Sequence, residues 1–225
     1  MKLRLLAVSD VVNPKLYSPQ VLELKDKVDL IVSCGDVPIY YLDFIATTLG
    51  KPLFFVCGNH DNYDIKEKGR VLNQVVYPPM NSLFEKENIK MGGVNLDGRI
   101  ENYMGFTFAG LEGSMEYNKG EHQYRENEMR RKIFRLIPGL ILNRIFRGRY
   151  LDVLVTHSPP FGVHDRNDKA HKGFKSFLNF IKRFSPAYLI HGHSHIYDNR
   201  EERITMVGKT KVINCYDYMI IEVEK

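Results

Sequence analysis

Five short apolar runs constrain this chain more than anything else in it, because each stops at a side chain able to bind a metal ion or move a proton. Residues 3–9 run into Asp10, residues 30–35 into Asp36, and residues 51–57 into Gly58-Asn59-His60-Asp61. Residues 151–156 run into His157, and residues 187–190 into His191-Gly192-His193-Ser194-His195. Runs this short and this continuously apolar read as strands covered on both faces, the habit of a parallel sheet. Parallel strands line up their carboxyl ends along one edge, which is where open α/β sheets place their chemistry.

The intervening segments fit that reading. Ser18-Pro19 has the form of an N-cap followed by proline at the first helical position, and Val21, Leu22, Leu24 and Val28 supply a helical face that ends before Asp29. Residues 40–49 predict a second helix stopped by Gly50. The amino-terminal part is therefore β-α-β-α-β, which requires a parallel core. Between residues 64 and 88 the periodic signals fade, and Pro78-Pro79 marks a loop near the mouth of the site. Residues 94–103 and 106–109 predict short strands with a hairpin turn at 102–105, leading into a flexible loop at Gly110-Leu111-Glu112-Gly113-Ser114.

Residues 121–149 form a basic helical insertion, in which arginines alternate with apolar residues and Met129, Ile133, Leu136 and Ile137 have helical spacing. Pro138-Gly139 predicts a break into two helices, and the plain reading of the charges is a solvated basic face. A homodimer contact, a nucleic-acid backbone and an anionic membrane surface are the functional readings of the same stretch. A helix at 174–184, a hairpin of 203–207 and 211–214 through Gly208, and a strand at 219–223 complete the chain, with the late strands expected in a second sheet. His164, Asp165, His171 and Lys172 fall in a polar loop within reach of substrate, and His191 reads as a packing histidine beside the ligands.

With 225 residues and 44% hydrophobic content, one domain over 1–225 is expected. No apolar run approaches the ~18 residues of a membrane span, and residues 1–9 are too short for a signal peptide. The three cysteines, Cys34, Cys57 and Cys215, sit apart in apolar runs as reduced thiols would, so a cytoplasmic protein is expected. A net charge of +5 and an isoelectric point near 9.0 favour phosphorylated or otherwise anionic partners only modestly.

In order, Asp10, Gly35-Asp36, Gly58-Asn59-His60-Asp61, Thr156-His157 and Gly192-His193-Ser194-His195 resemble the signature of the calcineurin-like metallophosphoesterases. His157-Ser158-Pro159-Pro160 is similar to the pattern of the members related to cyclic-nucleotide phosphodiesterases. The resemblance implies a four-layer α/β/β/α sandwich of two mixed sheets flanked by helices, and a dinuclear centre of divalent metal ions, Mn, Fe or Zn, bridged by Asp36. One ion would take Asn59, His157 and His193, the other Asp10 and His195. The resemblance also implies that His60, oriented by Asp61, acts as the acid for the leaving oxygen while a water between the metals attacks phosphorus.

A phosphodiesterase is expected ahead of a monoesterase. The chain departs from the pattern at Val12, where the family usually carries a histidine ligand, so the first ion is expected to bind weakly. A metal-depleted binding scaffold of the same fold and a nuclease using the basic helices are the rival readings.

Overall fold

The first strand, β1 (Lys2–Ser9), turns Leu3, Leu5 and Ala7 into one apolar layer and Leu6 and Val8 into another, which explains its unbroken hydrophobicity. The computed structural model describes residues 1–61, 64–66, 70–75, 88–89, 92–198 and 200–225, with side chains described outside 62–91 and 199. The chain continues through β2 (Leu30–Ser33), β3 (Leu53–Phe55), β4 (Asp64–Lys66), β5 (Arg70–Val75), β6 (Asn88–Ile89) and β7 (Gly93–Asn95). Next come β8 (Ile100–Tyr103), β9 (Phe106–Leu111), β10 (Ser114–Met115), β11 (Gln123–Tyr124), β12 (Val153–Thr156) and β13 (Tyr188–His191). The last strands are β14 (Ile204–Val207), β15 (Thr210–Asn214) and β16 (Asp217–Glu224). The helices are a short 3₁₀ helix at Pro19–Leu24, α1 (Ile39–Leu49), α2 (Glu126–Arg147) and α3 (Lys175–Phe184).

One sheet runs β16-β1-β2-β3-β7-β5-β4 with β6 beside β5, and the other runs β14-β15-β13-β12-β9-β8. The parallel cores are β1-β2-β3-β7 and β9-β12-β13-β15. Leu5, Val32 and Phe54 from the first sheet meet Phe108, Val155 and Ile190 from the second in the central layer, where Phe54 and Phe108 pack edge to face at 5.4 Å. The outer face of the first sheet is covered by α1 and the 3₁₀ helix, that of the second by α2 and α3. This is the expected four-layer sandwich.

Several local expectations change. The segment after Ser18 is a short 3₁₀ helix, with Ser18 Oγ accepting from Gln20 N at 3.3 Å, because only Val21 of its apolar residues is fully buried. α2 continues through Pro138 as one helix: Leu136 and Leu140 pin both sides of the proline to the core, and Pro138 itself faces solvent, where water can satisfy the unpaired carbonyl before it. β9 runs on to Leu111, so much of the expected loop is buried strand. β16 joins the first sheet, pairing antiparallel along β1 from Lys2 to Ser9, because Cys215 crosses the central layer and its Ile221 and Val223 fill that layer from the first-sheet side. β4 and β5 extend the first sheet within the segment that lacked periodic signals; the Pro78-Pro79 loop lies outside the described residues.

A buried carboxylate locks the second sheet at its foot. Asp152 accepts from Thr107 N at 2.7 Å and Thr107 Oγ1 at 2.9 Å, and pairs with Lys225 Nζ at 2.9 Å and Arg149 at 2.8 Å. Burial opposes its ionisation, but Lys225 and the Thr107 donors outweigh burial and hold its pKa below the ordinary 3.8. A carboxylate held low stabilises the fold above its ordinary value and loses that contribution as pH falls through the depressed one. Asp152→Asn is expected to lower unfolding free energy by about 1–3 kcal/mol at neutral pH. That difference should shrink on acidification below about pH 4, which urea unfolding of both proteins across the range would reveal.

Candidate metal centre

At the strand ends the backbone takes up conformations that side chains rarely tolerate. Asp10, Asp36 and His193 have φ of 64°, 56° and 64°, in the left-handed region. Each turn aims its side chain back across the sheet edges, and hydrogen bonds keep it there. Asp10 Oδ2 accepts from His193 N at 2.9 Å, joining the first motif to the last across the two sheets. Asp36 Oδ1 accepts from His60 N at 2.8 Å, while Asp61 Oδ2 accepts from Gly58 N at 2.7 Å and Asp36 N at 2.8 Å. A Cβ at Gly58 would collide with Asp36 Oδ1, and one at Gly192 with Ser9 Oγ, so both motif glycines are required by close approach.

His157 is fully buried, and its Nδ1 donates to Cys34 O at 2.7 Å. A carbonyl can only accept, so Nε2 is left to face Asn59 Oδ1 at 3.0 Å and Asp36 Oδ2 at 3.3 Å. His193 Nε2 likewise donates to Ala170 O at 2.7 Å, leaving Nδ1 as its lone-pair nitrogen. Asp36, His157 and His193 bring ligand atoms within 4.8 Å of one another and form a group able to hold a metal ion. His195 Nε2 stands 3.8 Å from Asp10 Oδ1, and that oxygen is buried without a hydrogen-bond partner. A buried carboxylate oxygen with no donor suits a cation.

The electrostatics agree. Burial pushes the Asp10 carboxyl above its ordinary range. Burial also opposes ionisation of Asp36, but His157 and the His60 amide outweigh it and hold this carboxyl low. His157 rises to about 9: Asp36 and then Asp10 overcome the effect of burial. Burial and then the positive His157 drive His193 down to about 3. The site thus balances its carboxylates with a proton on His157, the position a divalent ion would take over. Carboxylate, imidazole and amide donors without a thiolate suit Mn, Fe or Zn.

Asp10, Asp36, Asn59, His60, His193 and His195 all line one open cleft of about 300 Å³, with His157 behind it. Asp61 does not orient the His60 ring: it is buried, and its hydrogen bonds among the described residues go to the loop backbone. Tyr117 and His171 also line the cleft. Tyr117 OH accepts from Asn59 Nδ2 at 3.1 Å, which turns Asn59 Oδ1 toward His157. No motif or period in the sequence marks Tyr117, because it arrives on the loop between β10 and β11. His164 instead turns away to His191 Nε2 at 2.9 Å and Thr205 at 2.9 Å, and Asp165 caps the amides of Gly162 and Gly173.

Behind the cleft, Glu112 takes Lys132 Nζ at 2.9 Å and the Tyr124 hydroxyl, with His122 at 3.4 Å, and Lys132 also reaches Asp97 at 2.9 Å. Lys132 is therefore a half-buried counter-ion and not part of a solvated face.

A family model described as calcineurin-like phosphoesterase matches residues 3–197. The chain is similar to the uncharacterized protein MJ1162 of Methanocaldococcus jannaschii, at 26% identity over 206 residues, 87% of this chain and 81% of that one. Its fold resembles that of TT1561 of Thermus thermophilus, with a TM-score of 0.58 and 13% identity over 96% of this chain and 90% of the other. It also resembles that of GAP50, the anchor in the inner membrane complex of Plasmodium, with a TM-score of 0.55 and 16% identity over 96% and 71%.

Gly58→Ala displaces Asp36 by direct collision and is expected to weaken Mn²⁺ binding by about 10–100-fold, the scale of a disturbed ligand support. Calorimetric titration of the folded variant would show this, and unchanged affinity would remove Asp36 from the centre.

Proposed function

Since the chain belongs to the calcineurin-like phosphoesterase family, we propose that it is a metal-dependent phosphodiesterase whose working groups are the residues gathered at the cleft. The observation that carries the reading is the convergence of six ligand-type side chains from five strand ends, with one aspartate oxygen buried and unpartnered among them. Asn59, His157 and His193 would hold one divalent ion, Asp10 and His195 the other, and Asp36 would serve both. Such ions supply Lewis acidity toward the phosphate and make water a nucleophile near neutral pH.

The protein's own groups do the rest. The His60 ring is exposed at the cleft, while its amide is fixed to Asp36, so the ring can deliver a proton to the departing ester oxygen. Asp61 acts one step back, holding the Gly58 and Asp36 amides so that the loop carrying His60 stays against the centre. Tyr117 keeps the Asn59 amide turned the right way.

The cleft lining favours a diester. Among the described residues that line it there is no Lys or Arg. A phosphomonoester brings a second negative charge that would call for such a clamp, whereas a diester monoanion can be balanced by the metal ions and His60.

Val12 packs against the apolar cluster under α1, so it contributes to the core where a ligand would otherwise stand. Asp10, Asp36 and His195 leave the first ion three protein ligands, a number compatible with catalysis. Val12→His is expected to tighten binding of a second Mn²⁺ per chain in calorimetry without destroying the fold, as circular dichroism would show.

Metal-stripped protein titrated with Mn²⁺, Fe²⁺ or Zn²⁺ is expected to hydrolyse bis(p-nitrophenyl) phosphate faster than p-nitrophenyl phosphate, with activity lost in Asn59→Ala. His60→Ala should lower kcat by about 10²–10⁴-fold with bound metal unchanged. Silence toward both esters in folded, metal-loaded protein would leave the scaffold reading in place.

A further inference from the structure

α2 carries two apolar stripes, and among the described residues only one of them has a partner. Met129, Leu136 and Leu140 are buried against the second sheet and α3. The other stripe, Phe134, Ile141, Leu142, Ile145 and Phe146, recurs at the same helical spacing on the solvent side. Phe134 is 73%, Ile145 67% and Phe146 80% exposed. From Phe134 to Phe146 the stripe extends about 18 Å along the helix axis. Isolated exposed hydrophobes are ordinary, but a continuous exposed stripe on one helix is not.

The charges on this segment are of one sign. Residues 129–151 contain seven Lys or Arg and no Asp or Glu. Lys132 is consumed inside the fold by Asp97 and Glu112, and Arg149 by Asp152. Arg131 and Arg135 make no ion pair among the described residues and stand exposed on the same side of the helix as the stripe.

We infer that this exposed face of α2 docks on an anionic lipid bilayer, laying the stripe at the acyl boundary while the arginines meet lipid phosphates. A second copy of the chain is a poorer occupant, because a two-fold contact through this face would set the arginines of each copy against those of the other. A nucleic acid could use the arginines but leaves Ile141, Leu142 and Ile145 without a partner, since aliphatic side chains neither stack on bases nor bond to phosphate. An anionic membrane surface satisfies both halves of the pattern. Among the described residues no helix is long and apolar enough to cross a membrane, so the contact lies on the surface of the bilayer.

The test is flotation of the full chain with vesicles of phosphatidylcholine alone or with about a third phosphatidylglycerol. The anionic vesicles are expected to carry at least about tenfold more protein, and the excess should fall as salt is raised. Phe146→Asp and Ile145→Asp change exposed side chains, so circular dichroism and metal content should be unaltered while vesicle binding drops at least about tenfold. Arg131→Glu with Arg135→Glu should remove the preference for the anionic lipid. Equal recovery from both vesicle types, or binding that survives Phe146→Asp, would overturn the inference. So would sedimentation showing a dimer that Phe146→Asp splits, or tight binding of an RNA oligonucleotide that is indifferent to Phe146.

Discussion

Everything at the centre depends on a clasp between two strand ends. Asp61, at the end of the Gly58-Asn59-His60-Asp61 loop, reaches back to the amides of Gly58 and Asp36, and Asp36 reaches forward to the amide of His60. Each carboxylate thereby ties its neighbour's backbone to its own. The clasp compensates for the left-handed conformation of Asp36, which costs roughly 1–2 kcal/mol for a residue with a Cβ. It also explains why a glycine stands at position 58, where a side chain would fill the space of the Asp36 carboxylate.

The two sheets matter because the clasp lies within one of them. Asp10, Asp36 and Asn59 come from the first sheet and His157, His193 and His195 from the second, so the central apolar layer sets the separation of the two halves. Hydrogen bonds cross it at the site itself, among them those from His157 Nδ1 to Cys34 O and from His193 N to Asp10 Oδ2. Both fix the orientation of a ligand-type residue from the opposite sheet. A centre assembled in this way is as rigid as the core beneath it.

α2 connects that core to the surface. Its Lys132 neutralises Asp97 and Glu112 next to the loop that binds Cys57 O through Gly113 N at 2.8 Å, while its other side is exposed and apolar. The proline expected to divide it is accommodated because the residues around it are anchored on the buried side and the missing donor faces water. Propensity yielded to tertiary packing at that point.

The candidate ligands and the strands that carry them were legible in the residues because both depend on local chemistry, whereas the four-layer arrangement was implied by the family resemblance: a two-face-buried strand must be continuously apolar, and a candidate ligand must be an acid, an amide or an imidazole at its end. Asp10, Asp36, Asn59, His60, His157, His193 and His195 could therefore be picked out one strand at a time, and they do share one site. What depends on distant partners could not be read that way. The placement of β16 beside β1, the work of Asp61 on backbone amides, the arrival of Tyr117 at Asn59 and the pairing of Lys132 with Asp97 and Glu112 all require knowing which segments meet across the fold. Sequence by itself determined which side chains could do chemistry and which strands would carry them. Only the tertiary structure decided who holds each one in place, since hydrogen bonds and packing between residues far apart in the chain leave no period and no spacing along it.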